Sequence, residues 1–165
     1  MEIDGVKFTS RVLRVNLHKI ERVFPYIVTG GRELNKIVIS PRGMLKAYFL
    51  DAVKDKVLFS AITYLKKYLQ EKYKTAQLSS MAPGSLEDWP ITQQEELLSL
   101  FGKRETAIGV RLTEKCVMVP AKSISGILFP AEVKFESCQL CPRERCFRRR
   151  APYDSSLPSK YGLEQ

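Results

Sequence analysis

Apolar residues recur at three- and four-residue steps between Met44 and Tyr73, at Leu45, Phe49, Ala52, Val53, Phe59, Ile62, Leu65 and Leu69. Asp51, Lys54, Lys66 and Lys67 fill the intervening positions. That period predicts one long amphipathic helix over 44–73, with its apolar stripe against the core. At 1.5 Å per residue it would span about 45 Å, long for a small domain, which leaves room for a bend near 54–56. Before it, 6–10 and 12–17 alternate briefly and predict a strand, then a short helix near 17–21. The apolar run 23–28 ends in Thr29-Gly30-Gly31 and reads as a buried strand closed by a glycine turn. Residues 33–39 have the pattern of a short helix, interrupted by Pro41 and Gly43.

After the long helix, 76–89 is rich in Ser, Pro and Gly. It reads as a loop, either functional or a plain connector, and is longer than most connectors in compact domains. Thr92 with Glu95 three residues on predicts a capping box for a helix ending near Gly102. Strands are expected over 107–129. Ile108, Val110 and Leu112 alternate with Gly109 and Arg111, as in a half-buried strand. Thr113, Glu114 and Lys115 make a polar turn, 116–119 resumes the apolar pattern, and Pro120 ends it because proline donates nothing to a ladder. Ser123-Ile124-Ser125-Gly126 then predicts a corner, with Gly126 free to take a positive φ.

The word order across 108–129 closely resembles the activation domain of cobalamin-dependent methionine synthase. There a Gly-x-x-Leu-Thr-Glu-Ser word precedes a Met, a Pro and Ser-Val-Ser-Gly. Ser80-Met81-Ala82-Pro83-Gly84 is similar to that family's Arg-Pro-Ala-Pro-Gly loop. Trp89-Pro90 and 93–101 resemble the helix that follows it in short bacterial members. Val28-Thr29-Gly30-Gly31 and Leu50-Asp51-Ala52-Val53 resemble two earlier words, so the likeness runs roughly from Arg22 to Pro130. The resemblance implies a domain that presents S-adenosylmethionine to an oxidised cobalamin for reductive methylation; a free-standing copy would do so in trans. It implies a ligand groove between the 80–84 loop and the 112–125 hairpin, with Ala82, Pro83, Gly84, Thr113, Glu114, Ser123 and Ser125 as its residues. Glu114, in a turn between Thr113 and Lys115, is expected to be structural or ligand-orienting rather than an acid catalyst. Three features depart from the family. Ser80 stands where the family has an arginine, Phe59 aligns with a family acid, and a cysteine-rich tail replaces a tyrosine-bearing segment.

Composition narrows the class. With 165 residues, 44% hydrophobic and 27% charged, the chain reads as a globular unit large enough to bury a real core. No apolar run approaches a membrane span, and the acidic start Met-Glu-Ile-Asp-Gly is unlike a signal peptide, so a cytoplasmic location is expected. The formal net charge is +9, yet most lysines are scattered along the helices. Arg143, Arg145, Arg148, Arg149 and Arg150 form the dense cluster. No nucleic-acid fold signature accompanies it. It reads as a solvated basic run or as a docking patch for an acidic electron donor or corrinoid protein.

Cys138, Cys141 and Cys146 have the spacing C-x2-C-x4-C, and Cys116 in the Thr-Glu turn is the candidate fourth thiolate. Zinc and iron–sulfur clusters both take such sets; the alternative is unmodified thiols on a mobile tail. A disulfide is disfavoured by the expected compartment. His18 is the single histidine, far away in sequence, so a Ser-His-Asp set is not offered. Nor is there a phosphate-binding glycine motif, and catalysis by the chain alone is not expected.

The expected architecture is α+β: a small, mainly antiparallel sheet with one long helix over residues 1–135, and a Cys/Arg-rich tail over 136–165. The expected function is accessory, in the service of methionine synthase or another corrinoid methyltransferase. The alternative is an iron–sulfur or zinc protein for electron transfer or protein contact, without S-adenosylmethionine.

Overall fold

The computed structural model describes residues 1–102 and 108–163. In chain order the elements are β1 (Glu2–Ile3), β2 (Val6–Lys7), α1 (Arg11–Leu17), β3 (Phe24–Thr29), α2 (Met44–Tyr73), β4 (Leu78–Met81), α3 (Gln94–Ser99), β5 (Arg111–Leu112), β6 (Met118–Val119), β7 (Ser123–Pro130) and α4 (Leu157–Lys160). Short 3-10 turns occupy Glu33–Lys36, Ile91–Gln93 and Ser137–Leu140. The class is α+β, with small antiparallel sheets and one long helix.

β7 organises the molecule. It is the middle strand of the sheet β3-β7-β4, paired antiparallel on both sides. Its side chains alternate between two faces, and each face has its own core. Ile127 and Phe129 join Phe8, Val12, Leu13, Trp89 and Leu97 on the side of α1 and α3. Ile124 and Leu128 join Tyr26, Val28, Leu58, Ile62, Leu69 and Leu78 on the side of α2. A strand buried on both faces reads as a near-continuous apolar run, and Ile124 to Phe129 is such a run broken only by Ser125 and Gly126.

Several local expectations shift. The first helix is Arg11–Leu17, not 17–21. Ser10 caps it, its hydroxyl accepting from the Leu13 N–H at 2.9 Å. Asp88, far along the chain, accepts from the Arg11 and Val12 N–H groups at 3.1 and 2.9 Å. Such a remote cap leaves no local pattern. The segment 76–89 is not all loop, because β4 pairs along β7 through it. Thr92 does not cap α3; a 3-10 turn precedes the helix, and its cap position is Gln93 with no side-chain bond. The strand expected over 107–112 is regular only at Arg111–Leu112; Ala107 lies outside the described residues. The Ser-x-Ser-Gly word is no corner but the opening of β7. Gly126 is not among the positive-φ glycines; a Cβ there would run into the Met81 carbonyl and lie 3.0 Å from the Tyr26 hydroxyl oxygen. Glycine is needed for close approach, not for a turn.

α2 matches its predicted bounds and ends with Lys74 in the left-handed region. The apolar stripe does not all reach the core. Leu58, Ile62 and Leu69 are buried, whereas Leu45, Phe49, Val53 and Phe59 are half exposed or more.

Candidate functional site

Of the residues singled out by sequence, Ala82, Pro83 and Gly84 follow β4, Thr113, Glu114 and Cys116 lie in the β5–β6 turn, and Ser123 and Ser125 open β7, whereas Cys138, Cys141 and Cys146 lie in the tail. In the hairpin, the Thr113 N–H donates to the Val117 carbonyl at 2.9 Å, and the Cys116 N–H returns to the Thr113 carbonyl at 2.9 Å. This closes the predicted polar turn, with Glu114 exposed at its tip. Cys116 takes a positive φ of 56°. Its thiol is buried and faces the Thr92 carbonyl and the Glu95 carboxylate, at 4.0 and 3.9 Å. Burial, and then the nearby Glu95 and Glu96 charges, push that thiol's pKa up.

The loop carrying Ala82, Pro83 and Gly84 is folded back on itself. The Gly84 N–H donates to the Trp89 carbonyl at 2.7 Å, and Ser85 donates to the Ala82 carbonyl through its hydroxyl at 2.6 Å. Gly84 has φ +75°, and a Cβ there would meet Ile91 at 2.9 Å, so this loop does need its glycine. Trp89 is fully buried against Phe8, edge to face at 5.8 Å, and anchors the loop's far end. Residues 91–95 thus touch the loop through Ile91 and the hairpin through Thr92 and Glu95.

Ser123 and Ser125 are buried on the α3 side of β7. Ser123 donates to the Thr29 hydroxyl at 2.9 Å, and Thr29 in turn accepts from the Gly31 N–H at 3.2 Å. Ser125 accepts from the Gln94 side-chain amide. Both hydroxyls therefore hold the frame together. Gln94 and Gln93, which bonds the Thr9 N–H at 3.0 Å, are buried polar residues that sequence reasoning did not single out. An exposed-looking Gln-Gln pair carries no signal of such partners.

A charged relay leads from this frame to the tail. Lys122 reaches Asp55 at 2.7 Å and Asp51 at 2.9 Å on α2, and Arg148 approaches Asp55 at 3.6 Å. The Lys122 hydrogen bond holds the Asp55 carboxyl below its ordinary pKa. Glu136 pairs with Lys134 at 2.9 Å and Arg150 at 3.1 Å. The Tyr26 phenol, on the α2 face of the sheet, is pushed up to about 12 by burial, with Arg150 pulling the other way. Phe59 is half exposed and lines a shallow surface depression of about 350 Å³ with Lys56, Ser60 and Thr63.

The tail is tied to the body. Leu140 is buried with Phe135 in the core on the α1 side, and Tyr161 packs its ring tilted against Phe135, centroids 5.8 Å apart, and donates to Asn16 at 3.1 Å. Arg149 is its organiser: its guanidinium donates to the carbonyls of Cys138 at 3.1 Å, Cys141 at 3.3 Å and Ala151 at 3.4 Å, and to that of Arg143. Nothing in the sequence distinguishes Arg149 from its two arginine neighbours. Burial raises the Cys138 thiol pKa, but the Arg150 and Ala151 N–H groups outweigh it and the net shift is downward. As the side chains stand among the described residues, no three of His, Cys, Asp or Glu converge on a common ion position. His18 is exposed at the end of α1.

Residues 61–144, just over half of the chain, match the family model described as vitamin B12 dependent methionine synthase, activation domain. The match takes in the second half of α2, the loop after β4, the hairpin, β7 and the first two cysteines of the tail. No curated protein matches the chain.

Proposed function

Because this chain belongs to the activation-domain family of vitamin B12-dependent methionine synthase, we propose that it serves a corrinoid methyltransferase by presenting S-adenosylmethionine for reductive methylation of cobalamin. Family membership supports the accessory role and the association with a cobalamin-bearing partner. The observation that carries the finer reading is the assembly of the family's words, which the chain separates by tens of residues, around one strand opening. There Ile91 lies against Gly84 of the loop, Thr92 and Glu95 face Cys116 of the hairpin turn, and Gln94 bonds Ser125 of β7.

The residues fit this ligand only in part. Gly84 serves the loop itself, through its positive φ and the Ile91 side chain packed against it, and exposed Glu114 offers a carboxylate to a sulfonium or ammonium. Ser123 and Ser125 are already partnered and shape the frame. Ser80 lies within β4, paired with Leu128, and brings no charge to the site. Phe59 brings none either. Losing charge-assisted contacts weakens binding more than losing neutral ones, so the affinity should be weak, with Kd above about 1 μM. When bound, S-adenosylmethionine would supply the methyl group; the electron comes from elsewhere.

Titration calorimetry with S-adenosylmethionine, alone and with a cobalamin-loaded methyltransferase, tests this. Weak binding together with complex formation is expected. Submicromolar affinity would show that Ser80 and Phe59 are not losses, and absence of both ligand and corrinoid-protein binding would overturn the reading. A second reading, electron delivery or protein contact through a metal-bearing tail without S-adenosylmethionine, is favoured by the cysteine arrangement around Arg149.

A further inference from the structure

We infer that the outward face of the first half of α2 is the docking surface for a partner protein, which meets it with an apolar centre and an acidic rim. Who the partner is, a cobalamin-bearing methyltransferase, rests on the accessory reading above; where it sits rests on the helix.

Leu45, Tyr48, Phe49, Ala52 and Val53 follow one another at the spacing of a single helix face, and Phe59 continues it. All six are exposed. Phe49 and Val53 each stand nine residues before a buried residue of the α2 core, Leu58 and Ile62. Nine residues make about two and a half turns, so this face is turned away from the sheet. From Leu45 to Phe59 it runs about 21 Å. Single apolar residues on a surface need no partner, but a contiguous patch marks an interaction site. Three of its residues are aromatic, the type enriched where protein interfaces are fully buried.

The charges around the patch select what fits it. Between 36 and 60 the charged residues are Lys36, Arg42, Lys46, Lys54 and Lys56 against Asp51 and Asp55. Both acids are taken up by the body of the protein: Lys122 pairs with each, and Arg148 of the tail approaches Asp55. Among the described residues, no ion pair involves Lys46 or Lys56. Lys46 precedes Phe49 by three residues, and Lys56 follows Val53 by three, so both border the apolar face. Apolar centre and basic edge are complementary to an apolar centre with acidic edge. A second copy does not supply that. Pairing this face symmetrically with itself would set basic rim on basic rim, in a chain of formal net charge +9. Nor is the face flat, as a lipid surface would require. A depression of about 350 Å³ opens in it between Lys56, Phe59, Ser60 and Thr63. An ammonium and a ring at its wall suit the insertion of a carboxylate-bearing side chain.

The full-length chain mixed with a cobalamin-loaded methyltransferase tests the surface, by titration calorimetry and by association rates at low and high salt. The parent should bind, and faster at low salt. Phe49→Asp should raise Kd about tenfold or more by placing a charge in the apolar centre. Lys46→Glu should slow association and flatten its salt dependence. Affinity for S-adenosylmethionine and the thermal midpoint should be the same in all three. If Phe49→Asp folds poorly, lysine acetylation of the unaltered protein replaces it; Lys46 and Lys56 should be shielded in the complex and Lys7 should not. Variants that bind like the parent, or unchanged labelling of Lys46 and Lys56, would overturn this surface and leave the accessory reading standing. A parent that does not bind would overturn both. Dimers of the chain abolished by Phe49→Asp would assign the face to a second copy, and binding to phosphatidylglycerol vesicles lost in Phe49→Asp would assign it to lipid; either would overturn the proposal.

Discussion

The two halves of α2 carry similar densities of large apolar residues and meet different surroundings. From Leu58 onward the helix lays Leu58, Ile62 and Leu69 on Tyr26, Val28, Leu78 and Leu128 of the sheet. Before that point Met44, Leu45, Tyr48, Phe49 and Val53 are each at least half exposed, Met44 at 81%. Lengths explain the difference. At about 3.3 Å per residue the eight residues of β7 extend roughly 26 Å, against roughly 45 Å for the thirty of α2. A helix that outruns its sheet leaves part of its apolar stripe without a partner, whatever its periodicity.

Substitutions in the two halves should therefore behave oppositely. The largest effect is expected at Leu58, 5% exposed and packed in the α2 core. Leu58→Ala should cost about 2–5 kcal/mol by lost burial and cavity formation, read from urea or thermal unfolding. A loss under about 1 kcal/mol would mean the covered half packs no better than the exposed one.

At the junction of the halves, Asp55 receives Lys122 and Arg148. Its folded pKa is lowered, first by the Lys122 hydrogen bond. Its contribution to stability is thus present above the ordinary carboxylate pKa and lost as pH falls through the lowered folded value. The thermal midpoint of Asp55→Asn should lie below that of the parent at neutral pH, and the gap should close in acid. A gap independent of pH would show that the ion pairs do not anchor this point.

The smallest effect is expected in the exposed half. Phe49→Ser should change stability by no more than about 0.5 kcal/mol, as for surface positions outside special features. A large loss of stability, dependent on protein concentration, would mean that in solution this half is covered by another copy.

Much of the frame was legible. The bounds of α2, the strand at 24–29, the Thr-Glu turn and the stop at Pro120 each follow from local periodicity or from proline and glycine chemistry. β4 was not legible, because Leu-Ser-Ser-Met lacks an alternating pattern; it is a strand because β7 offers it an edge. The site was legible as words and not as geometry. That Ser125 meets Gln94, or that Asp88 caps α1, depends on chain segments 31 and 76–77 residues apart.

The sequence by itself determined the long helix, the family and the cysteine spacing, because each is written in neighbouring residues. Tertiary structure alone decided which half of α2 is covered, that Gly126 serves close approach, that Cys116 faces Glu95, and which of five clustered arginines gathers the tail. These depend on where a strand ends or a distant carbonyl points. Residue identity fixes what a side chain can bond, and only the assembled backbone fixes what stands within its reach.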